Sequence, residues 1–154
     1  MKLAFVCTGN ICRSPMAEYL LRDMMSQEDK DKLEVASAGV TATRGRPPSQ
    51  PAVEALSEIG IDELGMHQAR PVEQVELGEG DLLLTMTRPH LNLLPPKYKE
   101  GPVETGLLKE YVGGSGNISD PYGAGIETYR DLRDDLIPIL ESLLERLRER
   151  DFQP

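Results

Sequence analysis

The sequence predicts an α/β sandwich with a parallel sheet of about four strands, on three observations. Short apolar runs rich in strand formers alternate with helical patterns along the chain. The run DLLLTM at 81–86 is almost continuously apolar, as a strand buried on both faces of a parallel sheet must be. The first apolar run empties into a glycine-containing turn that leads straight into a helix, and in such folds ligands gather at the carboxyl ends of the strands.

The elements follow in order. KLAFV at 2–6 reads as the first strand. SPMAEYLLRDMM reads as a helix, with Ser14 at or near its cap, Pro15 in its first turn, and Met16, Ala17, Leu20, Leu21 and Met24 as its apolar stripe. LEVASAG at 33–39 is a second strand; RGRPPSQ is a loop, and PAVEALSEIG a helix that stops at Gly60. After DLLLTM, RPHLNLL makes a short helix before the Pro95-Pro96 break, and a shorter strand is expected near PVETGLL. The glycine-rich loop VGGSGNISDPYGAG precedes a long amphipathic helix from about Ile126 to Arg150. Its buried face is marked by Leu132, Leu136, Ile139, Leu140, Leu143, Leu144 and Leu147, and Pro138 is expected to kink it. No repeat or linker divides residues 1–154, which read as a single domain.

Composition narrows the functions. The chain has 154 residues, 39% apolar and 28% charged, the balance of a soluble globular protein with a real core. No run reaches the roughly 18 apolar residues of a membrane span, and the apolar start is too short for an export signal. A formal net charge of −9 argues against nucleic-acid binding, which requires a basic face. The two cysteines, both inside one turn, are a poor disulfide framework, so free thiols in a reducing cytoplasm are expected. With no apolar stripe left over once the core is assigned, a monomer is expected. His67 and His90 lie too far apart, with no supporting cysteine pair, to make a metal site, and no metal or other cofactor is called for.

The turn itself carries the chemistry: Cys7-Thr8-Gly9-Asn10-Ile11-Cys12-Arg13-Ser14. Backbone N–H groups converge in a strand-to-helix turn, and the helix dipole adds partial positive charge there, so a phosphate dianion is held with little side-chain help. Arg13 at the exit can clasp two phosphoryl oxygens at once. Cys7 at the entry is favoured as a thiolate by the same field, with Ser14 able to donate to it, and a thiolate facing phosphorus is a nucleophile. Gly9 allows close backbone approach, and Asn10 tolerates a left-handed conformation. A phosphate ester also needs an acid for its leaving group. Asp120, followed by Pro121 and the aromatic Tyr122, is the candidate.

VCTGNICRSPMAE, SAGV, GRPP, HQAR, LLLTMT and DPYG fall in the order seen in low-molecular-weight protein tyrosine phosphatases, and the resemblance covers nearly the whole chain. It implies a flavodoxin-like three-layer sandwich with a four-stranded parallel sheet and a phosphate-binding loop after the first strand. It implies a phosphorylated protein as substrate and a phosphocysteine intermediate, with Cys7 as nucleophile, Arg13 as phosphate clamp and backbone N–H groups from Thr8 to Cys12. Asp120 matches the general acid that later activates water. Asn10, Ser14, Ser37 and His67 match residues that brace the loop, although Ser37 could simply end a strand and His67 could be a packing residue. His90 receives no role. Arg44, Arg46 and Arg70 read as ordinary solvated loop charges, with contact to substrate as the alternative.

Three choices arise within the resemblance. Cys12 matches a cysteine that can form a disulfide with the nucleophile and protect it from over-oxidation. Thioredoxin-coupled arsenate reductases share the fold but use further cysteines down the chain, and there are none here beyond Cys12. A catalytically idle phosphate-binding module would have lost the nucleophile, the arginine or the acid, and all are present. The similarity also looks close to the bacterial branch that includes protein-arginine phosphatases, where the position of Ile11 is typically threonine. An isoleucine there favours an apolar ring, so phosphotyrosine is the expected substrate and phosphoarginine the alternative. The loop before GRPP lacks the aromatic residue often found in the family, which leaves Tyr122 as the ring wall.

Overall fold

The structure, a computed structural model, describes residues 1–150; the last four residues of the domain expected over 1–154 lie outside the described residues. Four parallel strands form one sheet in the order β2-β1-β3-β4, with β1 at Lys2–Cys7, β2 at Glu34–Gly39, β3 at Leu82–Thr85 and β4 at Glu104–Leu107. Phe5 in the central β1 is flanked by Ser37 of β2 and Leu84 of β3.

The pleat sorts the strand residues into two apolar layers. Leu3, Phe5, Cys7, Leu82 and Leu84 face one side, where they meet α1 (Arg13–Met24), α3 (Gln50–Ser57) and α7 (Ile126–Glu149). Ala4, Val6, Ala38 and Leu83 face the other. There they meet Val72, Val75, Leu94 and Tyr98, the last on the short α5 (Pro96–Lys99), near α4 (Arg88–Asn92). This is the three-layer sandwich of the sequence reading. Because β3 is buried at all four positions, its unbroken apolar run has a direct cause in the double coverage of the sheet.

Besides two 3-10 turns at Glu63–Met66 and Val72–Gln74, three helices escaped the sequence reading. These are α2 (Gln27–Lys32), closed by a capping box between Ser26 and Asp29, together with the single-turn helices α5 and α6 (Leu108–Tyr111). Other expectations shift by small amounts. The cap position of α1 belongs to Cys12, not Ser14, which is the second helical residue. Ile139 is half-buried rather than part of the fully buried face of α7, and that helix continues as one element through Pro138. α3 ends at Ser57, and Gly60 then turns the chain with φ +86°. No helix among the described residues is long and apolar enough to cross a membrane.

Candidate active site

The loop from Cys7 to Arg13 lies at the carboxyl end of β1, and the register of the sheet places it. Past Gly39 the chain still follows the loop: Val40 N–H donates to the Cys7 carbonyl at 2.9 Å and Thr41 N–H to the Thr8 carbonyl at 3.0 Å. Asn10 turns the loop with φ +58°, the left-handed conformation expected of it. Helix α1 then starts with no side-chain cap. Among the described residues, the backbone N–H groups of Gly9, Asn10, Ile11, Cys12 and Arg13 make no protein hydrogen bond. Buried donors are rarely left so, and converging ones at a helix N-terminus form an anion cradle.

A network behind the loop holds this shape. The Asn10 side-chain amide donates to Ser14 Oγ and to Ser37 Oγ, each at 2.9 Å, while its carbonyl oxygen accepts from the Arg70 backbone N–H at 3.0 Å. Ser37 passes its own proton to the buried Glu18 carboxylate at 2.6 Å, which is held in turn by Arg22 at 2.5 Å. His67 Nε2 lies 3.0 Å from the Asn10 backbone carbonyl oxygen, an acceptor only, so that nitrogen carries the proton. Burial pushes the His67 pKa below its ordinary value. Every polar position of the buried Asn10 side chain is thereby satisfied.

Cys7 Sγ lies 2.9 Å from Ser14 Oγ. A thiolate can only accept, so in that state Ser14 donates to it; in the thiol state the Ser14 proton has the Ala38 carbonyl at 3.3 Å as an alternative. Arg13 is buried and gives one N–H to the Ile118 carbonyl at 3.1 Å. Its second terminal nitrogen lies 3.6 Å from Asp120 Oδ2. The other Asp120 oxygen accepts from Tyr122 N–H at 3.0 Å, a turn that fixes the half-exposed carboxylate beside Arg13. Cys7, Thr8, Gly9, Ile11, Cys12, Arg13, Thr41, Arg46, Asp120 and Tyr122 line a common cavity of about 200 Å³.

The Cys12 thiol donates to Ser49 Oγ at 3.3 Å and lies 3.3 Å from Tyr129 Oη. Burial pushes the Cys12 thiol up, and burial together with the Cys12 contact pushes Tyr129 up to about 12. Both cysteines are free thiols.

The structure thus brings together every residue singled out from the sequence: Cys7 to Ser14, Ser37, His67, Asp120 and Tyr122. It also adds residues that carry no sequence signal of their own, namely Glu18, Thr41, Ser49 and Tyr129. Two of the three arginines read as solvated charges are otherwise engaged. Arg70 donates its Nε–H to the Ser37 carbonyl at 3.1 Å, and Arg46 lies over the Tyr122 ring at 5.9 Å on the cavity rim.

The family model for low molecular weight phosphotyrosine protein phosphatases matches residues 2–152. The chain belongs to that family. It is 37% identical to a protein-arginine-phosphatase of Bacillus subtilis, over 97% of this chain and 98% of the relative. It is 34% identical to the low molecular weight protein-tyrosine-phosphatase PtpB of Staphylococcus haemolyticus, over 93% of this chain and 97% of that one. Among solved structures it superposes on a YwlE arginine phosphatase mutant with a phosphorylated active-site serine, at a TM-score of 0.82 and 36% identity, covering 99% of this chain and 100% of the other. This phosphatase is therefore a cysteine-dependent protein phosphatase.

Proposed function

We propose that this protein hydrolyses phosphotyrosine in proteins through a phosphocysteine intermediate on Cys7. The Cys7 thiolate attacks phosphorus while Asp120 gives its proton to the departing phenolate oxygen; the Cys7–phosphorus bond forms as the ester bond breaks. The Asp120 carboxylate then takes a proton from water, the hydroxide displaces the cysteine, and inorganic phosphate leaves with the thiolate restored. The cradle N–H groups and Arg13 meet the charge on the phosphoryl oxygens in both steps. The observation that carries the reading is the set of unpaired N–H groups from Gly9 to Arg13, directly beside Cys7 and in a common cavity with Asp120.

The choice of phosphotyrosine rests on the cavity wall. Ile11 and the Tyr122 ring offer an aryl group apolar contact, and the Arg46 guanidinium on the rim opposes a second guanidinium. The Bacillus subtilis relative favours phosphoarginine as the second reading. Phosphate release from matched phosphotyrosine and phosphoarginine peptides, with Cys7→Ser as the blank, separates the two. Faster release from phosphoarginine would overturn the choice. Asp120→Ala is expected to slow poor aryl leaving groups most, by on the order of 100-fold; equal slowing of good and poor leaving groups would remove the acid role.

We also infer that Cys12 guards the nucleophile. Peroxide converts the Cys7 thiolate to a sulfenic acid, the Cys12 sulfur displaces its hydroxyl as water, and a dithiol reduces the resulting disulfide. Peroxide inactivation should be reversed by dithiothreitol, and Cys12→Ser should let excess peroxide carry Cys7 on to the sulfinic acid, which dithiothreitol does not reverse. Chemistry that depends on free thiols at both positions suits the cytoplasm, and the protein is proposed to act there as a monomer.

A further inference from the structure

His90 takes no part in the mechanism above, yet it is only 4% exposed and both of its ring nitrogens meet threonine hydroxyls. Nδ1 lies 2.9 Å from Thr87 Oγ1, and Nε2 lies 2.8 Å from Thr8 Oγ1, joining the start of α4 to the phosphate loop. Burial, with Arg13 nearby, lowers the His90 pKa to about 4, so the ring is neutral near pH 7, with one donor nitrogen and one acceptor. Thr87 is the N-cap of α4, and its oxygen accepts from the His90 backbone N–H at 3.3 Å. Thr87 Oγ1, already accepting from that N–H, is favoured as the donor to Nδ1. In that tautomer Nε2 carries the ring proton and donates a hydrogen bond to Thr8 Oγ1. Thr8 is exposed on the cavity wall, and with Nε2 protonated its own hydroxyl proton has no protein acceptor among the described residues.

We propose that His90 is a positioning residue that turns the Thr8 hydroxyl into a hydrogen-bond donor aimed into the cavity, where it adds a side-chain contact to a phosphoryl oxygen held by the backbone cradle. The inference rests on the phosphatase reading of the same cavity. It assigns work to a histidine without proton transfer, because the ring keeps one tautomer throughout and orients its neighbour.

Calorimetric titration with inorganic phosphate tests it without turnover, alongside kcat and KM on a phosphotyrosine peptide. Thr8→Val and His90→Leu are each expected to weaken phosphate binding about tenfold, the effect of one charge-assisted hydrogen bond. The double variant should lose little more than either single one, since both break one contact. His90→Gln, whose amide can place an N–H near the position of Nε2, should restore most of the affinity. Thr8→Val binding phosphate within twofold of the unsubstituted protein, with an unchanged melting temperature, would overturn the proposal even if His90→Leu failed to fold. Additive losses in the double variant would also overturn it. No phosphate binding by the unsubstituted protein would instead sink the phosphatase reading, and the proposal with it.

Discussion

Gly39 shows how little freedom single residues have around the cradle. A Cβ at this position would sit 2.4 Å from the Thr8 carbonyl oxygen, 2.9 Å from Ala42 Cβ and 3.0 Å from Asn10 N. All but one of those neighbours are backbone atoms of the phosphate loop, so relief requires the loop itself to shift. Gly39→Ala is expected to destabilise the protein by about 1–3 kcal/mol, as overpacking does. It should lower kcat/KM on the order of 100-fold, because displaced loop N–H groups no longer meet the phosphoryl oxygens. Urea unfolding and steady-state kinetics check the two numbers separately; normal activity in a destabilised variant would mean that the loop does not yield. Gly9 is the contrast. A Cβ there meets only Ile11 Cγ1 at an ordinary 3.7 Å, so the protein itself would tolerate a side chain and the space is kept for what enters the cavity. The sequence made Gly9 conspicuous and Gly39 ordinary, because the clash at Gly39 comes from a segment 30 residues away.

At the level of elements, α7 is tied to the rest of the sheet layer by ion pairs at both ends. Arg130 and Arg133 reach Glu58 just beyond α3, while Arg148 reaches Asp29 in α2 at 2.6 Å. Asp29 is buried and also serves the capping box of α2, and the Arg148 hydrogen bonds hold its carboxyl down at about 2. A carboxylate with a depressed folded-state pKa contributes stability that is present above its unfolded value, near 3.8, and is lost as pH falls toward 2. Arg148 is about half exposed, so solvent screens the pair. Arg148→Ala should therefore cost about 1 kcal/mol at pH 7, and the gap to the unsubstituted protein should close between pH 4 and pH 2. Denaturant titrations at several pH values measure it, and a gap that stays constant down to pH 2 would assign the effect to packing of the arginine stem. The helix α2 itself was illegible in the sequence because six polar and charged residues show no apolar stripe; the capping box and this ion pair hold it instead. By contrast β1, β3 and α7 were plain, since burial on one or both faces writes its period directly into the chain.

For the molecule as a whole, the site was legible wherever chemistry is contiguous in sequence, from Cys7 to Ser14 and in the Asp120–Tyr122 turn. It was obscure where the fold imports a partner from afar, as with Glu18 under Ser37 or His90 behind Thr8. Those imported partners make overall stability depend on pH. His67 and His90 are both buried against the loop, and burial lowers both pKa values, that of His90 to about 4 from 6.5. His67 faces Glu18, which opposes the shift, and Arg70 and Arg22, which add to it; His90 faces Arg13, which adds, and Asp120, which opposes. Between pH 6.5 and 4 the unfolded chain therefore binds protons that the folded one refuses, and stability must fall as pH falls across that window. For His90 the loss amounts to about 3 kcal/mol once pH is below 4. An opposing effect acts over the same range: the net charge of −9 is progressively neutralised toward a pI near 4.7, which relieves self-repulsion. Comparing the unsubstituted protein with His90→Gln separates the two, because the charge relief is common to both. The unfolding free energy of the unsubstituted protein should drop relative to the variant as pH is lowered from 6.5 to 4, and parallel curves would show that His90 takes up its proton as readily in the fold as outside it.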